Sequence, residues 1–199
     1  MGTNELRKRI NWQTISGDKA GGAEKLFHAV FSKAFEGTNF AIRSHPREFS
    51  DIYVKVKLSP EVLTKIYNPV NETWQHGIVP DYAIDNIVTN KTLYVEVKRQ
   101  DGWVEGKPRN AGRGNAHERS CKLFTPGLQK VLKEHGKLGS HILPFWVVFQ
   151  GDIARDPKRV REITLWYEGC EEHFFLWHDD KDISALIEHF DTKLKQLLL

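Results

Sequence analysis

Cysteine is scarce. Cys121 and Cys170 are the only two in 199 residues, far apart and outside any ligand-like spacing. That excludes a disulfide framework or a cysteine-built zinc site, and two thiols fit a reducing compartment. Long apolar runs are missing too. The longest, Ile142 to Phe149, is interrupted by Pro144 and falls well short of the roughly 20 residues that span a bilayer. Met1-Gly2-Thr3-Asn4-Glu5 has neither the basic nor the apolar block of a signal peptide, and Leu6 stands where a myristoylation signal needs Ser or Thr. A cytoplasmic, soluble chain with no membrane partner is expected. Internal repeats, low-complexity stretches and a linker between halves are also lacking, so residues 1–199 are expected to form a single domain.

Bulky core material is plentiful. Eleven Phe and six Trp, with 40% hydrophobic and 28% charged residues, make an ordinary folded chain and argue against disorder. The net charge of +3 says little about a partner, but its distribution says more. Between Lys98 and Lys122 stand Lys98, Arg99, Lys107, Arg109, Arg113, Arg119 and Lys122 against only Asp101, Glu105 and Glu118. A local basic patch on an otherwise near-neutral chain suits a polyanion docking at one place, although a solvated loop would look the same.

Periodicity predicts the elements. Leu26, Phe27, Val30, Phe31 and Ala34 share one face of a helix over Ala23 to Phe35, with Gly37 as its stop. Strands are expected over Ile52 to Leu58, Leu93 to Lys98 and Arg161 to Tyr167, all alternating, and over the continuously apolar Leu143 to Phe149. A closing helix over Asp182 to Leu198 carries Ile183, Leu186, Ile187, Phe190, Leu194 and Leu197 as its stripe. Strands in the middle with helices around them predict an α/β fold, a central mixed β-sheet flanked by helices on both faces.

One segment could do chemistry. In Leu93-Tyr94-Val95-Glu96-Val97-Lys98, alternation sends Leu93, Val95 and Val97 to one face and Tyr94, Glu96 and Lys98 to the other. A second strand ending at Asp81, after Pro80, could set another carboxylate beside them, although Asp85 would share its face. Two carboxylates on fixed strands suit Mg2+, which prefers oxygen ligands and keeps water positions open. Such an ion stabilises charge on a phosphodiester and lowers the pKa of an attacking water, while a nearby lysine orients that water. The plain alternative is a solvent-facing Glu-Lys pair and a routine Pro-Asp turn.

The neighbouring Gly112 to Lys122 stretch places Arg113, Asn115, Glu118 and Arg119 on a glycine-containing loop that leads toward a helix. Arg grips guanine and Asn grips adenine through paired hydrogen bonds, and a carboxylate accepts from a base amino group. Gly114 lets the backbone approach a groove. The same residues read as a capping box, with Asn115 as N-cap and Glu118 three positions later, and both readings can hold together. A repair nuclease would keep the catalytic strand without needing this loop. A pure binding module would need only the loop.

Gly114-Asn115-Ala116-His117-Glu118-Arg119-Ser120, followed by Lys122, resembles the recognition segment of EcoRI-like type II restriction endonucleases. The blocks Glu96 to Lys107, Ala111 to Lys122, Leu143 to Phe149 and Arg155 to Thr164 are similar to the MunI-like branch of that PD-(D/E)xK group, most strongly from about Pro80 to Tyr167. The resemblance implies a restriction-endonuclease-like core and a homodimer on palindromic double-stranded DNA. It also implies Mg2+-dependent hydrolysis leaving four-base 5′ overhangs, and a companion DNA methyltransferase. Asp81, Glu96 and Lys98 fall on the family's catalytic positions, with Asp81 and Glu96 as metal ligands. Asn115, Ala116, Glu118 and Arg119 fall on positions that contact AATT, and Arg113 on the one that contacts an outer C·G pair. His117 stands where EcoRI-like chains carry Ile, which favours CAATTG over GAATTC as the site. Gly114 and Lys122 complete the expected DNA-binding set.

Overall fold

The computed structural model describes residues 21–67, 76–102, 104–108, 117–179 and 181–199. Its centre is a five-stranded sheet in the order β1 (Phe40–Ser44), β2 (Tyr82–Asn86), β3 (Lys91–Arg99), β4 (Phe145–Gln150) and β5 (Phe174–Trp177). The first three strands run antiparallel to their neighbours, whereas β3, β4 and β5 run parallel. The sheet is therefore mixed, as the pattern of elements predicts.

Both faces are covered. Helix α1 (residues 21–34) lays Phe27 and Phe31 against Leu93, Val95, Val97, Trp146 and Val148. The C-terminal helix α5 (Ile183–His189) shares that face and continues through a π-helical turn, Phe190–Leu194, into a 3-10 turn, Lys195–Leu198. Leu186, Phe190, Leu194 and Leu198 are its buried stripe, so the helix read from the sequence is present but changes pitch. Its end is fastened to the β2–β3 hairpin, where the Asn86 amide donates to the Leu198 carbonyl at 2.9 Å. The opposite face packs Ala83, Tyr94, Phe145, Val147 and Phe149 against α3 (Pro126–Gly136) and α4 (Pro157–Trp166), with Phe49 and Tyr167 filling between them. Every residue of β4 is buried, as its unbroken apolar run predicts.

Three expectations fail. Residues 52–55 form turns and 56–58 lead irregularly into the short helix α2 (Pro60–Leu63) rather than making a strand: Ile52, Val54 and Val56 donate their N–H groups to carbonyls three residues back. Lys55 pairs with Asp51 at 3.0 Å across one turn, and Val54, Val56 and Leu58 are exposed because no neighbouring strand covers them. Residues 161–167 lie in α4 and just past its end. The Asp156 carboxylate caps that helix by accepting from the Lys158 N–H at 3.2 Å, and Pro157 sits in its first turn, where a missing N–H costs nothing. One edge of the sheet is instead formed by β1, too short and mixed to show in the sequence. Asp81 also stands just ahead of β2 rather than at the end of a strand.

Candidate active site

The antiparallel register of β2 and β3 sets Tyr82 opposite Val95. Asp81, one residue before the strand, therefore comes beside Glu96 and Lys98. The Val97 N–H, between those two side chains, donates to Asp81 Oδ2 at 2.8 Å. Lys98 Nζ lies 2.6 Å from Glu96 Oε1 and 3.9 Å from Asp81 Oδ2. All three side chains are at most 20% exposed, lodged where the sheet face passes from packed core to solvent. The structure thus brings together Asp81, Glu96 and Lys98, and strand alternation is the reason.

Asp85 is separated from them by its own partners. The Arg43 guanidinium grips it through Nε and, at 3.1 Å, through Nη2, and Thr92 Oγ1 donates to it at 2.7 Å. Asp81 has no such compensation. Burial first, and then the Glu96 carboxylate, push its pKa up to about 7, against the opposing pull of Lys98 and the Val97 N–H. Two half-buried carboxylates facing one ammonium leave the site short of positive charge.

Its donor set suits a small hard cation. No group of three or more His, Cys, Asp or Glu side chains able to hold a metal occurs among the described residues. Mg2+ does not require one, since it binds through one or two carboxylates and fills its remaining positions with water and substrate oxygens.

Beside this site runs a 3-10 helix, Glu118–Phe124. His117, Ser120 and Leu123 are buried at its threefold spacing, while Glu118, Arg119, Cys121 and Lys122 are exposed. The two regions adjoin behind Tyr167. Its buried phenol is pushed up by desolvation first, then by Cys121 of the 3-10 helix and by Glu96.

Arg113, Gly114, Asn115 and Ala116 lie outside the described residues, and so does the expected Asn115 cap. Glu118, Arg119 and Lys122 face solvent, as a DNA-contacting set requires. His117 does not: its ring is fully buried, stacked on Trp166 with 5.5 Å between centroids and 16° between planes. Its Nε2–H donates to Glu162 Oε2 at 3.0 Å, and Arg159 donates to the same oxygen at 2.6 Å. Burial followed by the Arg159 charge lowers the His117 pKa, so the ring is neutral near pH 7. Desolvation would raise Glu162, but Arg159 and His117 overcome it and hold that carboxyl below its ordinary value. The sequence reading missed Arg159, Glu162 and Trp166. Asp156-Pro157, a cap followed by proline, was the signal that would have placed them on a helix.

The family described as "Type II restriction enzyme MunI" matches residues 1–199. A type II restriction enzyme MunI from Mycoplasma sp is 51% identical over 201 residues, covering 100% of both chains. The crystal structure of MunI restriction endonuclease in complex with cognate DNA superposes with a TM-score of 0.80 at 50% identity. That match covers 95% of this chain and 98% of the other.

Proposed function

The chain belongs to the MunI family of type II restriction enzymes and is a site-specific endonuclease acting on DNA, and we propose that it cuts both strands of CAATTG in a Mg2+-dependent reaction, leaving 5′-AATT overhangs. The observation that carries the chemistry is the contact of Lys98 with Glu96 beside a protonatable, half-buried Asp81. Asp81 and Glu96 are the residues that would hold Mg2+. The bound ion supplies charge stabilisation at the scissile phosphate and a lowered pKa for the attacking water.

The chain's own residues do the rest. The Val97 N–H fixes the Asp81 carboxylate, so this ligand is oriented before anything binds. Glu96 holds the Lys98 ammonium at the mouth of the site, where its remaining N–H donors can orient water and meet charge developing on phosphorus. Arg113, Gly114, Asn115, Ala116, Glu118 and Arg119 form the base-reading set, with Arg113 on the outer guanine. Lys122 contacts phosphate. The DNA-bound state of the similar MunI crystal structure supports double-stranded DNA as the ligand. A homodimer, a cytoplasmic setting and a companion methyltransferase that protects host DNA complete the reading.

The experiment is digestion of a fully sequenced DNA with Mg2+, followed by sequencing of the fragment ends. Ends at CAATTG with 5′-AATT overhangs are expected. Equal cutting at GAATTC would overturn the assignment of the outer pair. Asp81→Ala, Glu96→Ala and Lys98→Ala should each lose about a hundredfold or more in rate while remaining folded. A variant that cuts near the unmutated rate would remove its residue from the site.

A further inference from the structure

His117 lies at the seam between a buried clamp and an exposed reading surface. Its ring is fully buried, so as placed it cannot touch a base, yet the next two residues, Glu118 and Arg119, face solvent. The clamp is directional as well as apolar. Trp166 covers one side of the ring, while Glu162 Oε2 receives Nε2–H at 3.0 Å and is itself held by Arg159 at 2.6 Å. We propose that His117 is a positioning residue for sequence discrimination: clamped to α4, it sets the rotation of the 3-10 helix and so the placement of Glu118 and Arg119 against the bases. This inference rests on the reading of Glu118 and Arg119 as base contacts.

The geometry supports it in two ways. First, the buried residues His117, Ser120 and Leu123 repeat every three positions, so a one-residue rotation would bury Glu118 and expose the histidine. Apolar packing at Leu123 alone gives that rotation no directional stop at the helix start. A hydrogen bond to a carboxylate already held from a second side supplies one.

Second, α4 reaches the catalytic strand as well. Arg159 lines a small cavity with Gln100, Asp101 and Gly102, the residues that follow β3 directly beyond Lys98 and Arg99. The helix that grips the reading segment thus also packs on the exit of the strand bearing Glu96 and Lys98. Reading residues and cutting residues share one rigid support.

A packing role and a positioning role predict different things. An aliphatic side chain would fill the pocket but could not donate to Glu162, whereas an amide could. The test uses the full chain with Mg2+. It compares kcat/KM on a CAATTG duplex with kcat/KM on duplexes in which one inner A·T pair is inverted. His117→Leu is expected to reduce that ratio about tenfold, as befits loss of a hydrogen bond to a charged group, while thermal unfolding and binding to non-specific DNA stay near normal. His117→Gln should retain most of the discrimination. Glu162→Ala, whose side chain is 41% exposed and leaves no core cavity, should lose it as His117→Leu does. It decides the matter if His117→Leu fails to fold.

Discrimination kept within about twofold in Glu162→Ala and in any folded His117→Leu would overturn the proposal. Glu118→Ala and Arg119→Ala separate the two failures. If they lose discrimination while the clamp variants keep it, only the clamp is wrong. If they too leave inner-pair preference unchanged, the base-reading assignment fails and takes this proposal with it.

Discussion

Burial and the Glu96 carboxylate both resist ionisation of Asp81, and together they outweigh Lys98 and the Val97 N–H. In the unfolded chain this carboxyl titrates near 3.8, but in the folded protein near 7. Between those values the folded state keeps a proton that the unfolded state has lost, so stability falls as pH rises through the window. Above it the full cost is present. Asp81→Asn keeps an oxygen for the Val97 N–H and carries no charge. Without metal it should therefore melt above the unmutated protein at pH 8, by about 2–4 °C for each kcal/mol recovered. The gap should narrow at pH 5, part-way down that window, close only below about pH 3.8, where both states hold the proton, and shrink at pH 8 when Mg2+ is added. Thermal unfolding in a chelator reads this directly, and equal melting points at pH 8 would mean the carboxylate bears no such strain. Glu96 and Lys98 were legible in the sequence because a strand's period of two puts them on one face. The choice between Asp81 and Asp85 was not. It depends on Arg43, which sequence distance hides and the β1–β2 pairing brings into contact.

The misread elements share a cause. Arg161 to Tyr167 alternates like a strand, yet Ile163 and Tyr167 also lie four apart, and both are fully buried on the inner side of α4 and its end. Over so short a window the two periods coincide at some positions, and the cap must arbitrate. Asp156 is that arbiter: it accepts from the Lys158 N–H at 3.2 Å and from the Glu105 N–H at 3.3 Å, joining the helix start to the chain that follows β3. Asp156→Ala should cost about 1–2 kcal/mol in urea unfolding, toward the upper end for a cap because its carboxylate is buried and serves two donors. A loss below about 0.5 kcal/mol, the size of an ordinary surface change, would mean α4 starts without it. Where period and packing agree, the reading holds. The apolar run of β4, buried throughout, and Leu186, Phe190 and Leu194 of the closing stripe were visible in advance, whereas the change of pitch buries Leu198 in place of the expected Leu197. Residues 52–58 show the reverse: alternation without a partner strand is no strand, and partners are a property of the whole sheet.

Each chain carries one Asp81–Glu96–Lys98 cluster, while a duplex offers two scissile bonds on strands of opposite polarity. A single rigid site cannot meet both without releasing the DNA and turning over. Two copies related by a twofold axis can, and a palindrome presents each with the same half-site. The expected particle in solution is therefore a dimer of the 23.0 kDa chain. Light scattering measures this, and a monomer that persists with target DNA bound would exclude it. Subunit mixing tests the consequence for cutting. The unmutated chain is combined with an excess of Lys98→Ala chain, allowed to exchange, and given a supercoiled plasmid carrying one site. Most active particles then hold one competent cluster, which can break only the strand it faces. Nicked circles should accumulate well before linear product, whereas the unmutated dimer should pass to linear with little nicked intermediate. Should the mixture give linear DNA in step with the nicked form, one cluster serves both strands, and the pairing of one subunit with one strand fails even if the protein is dimeric.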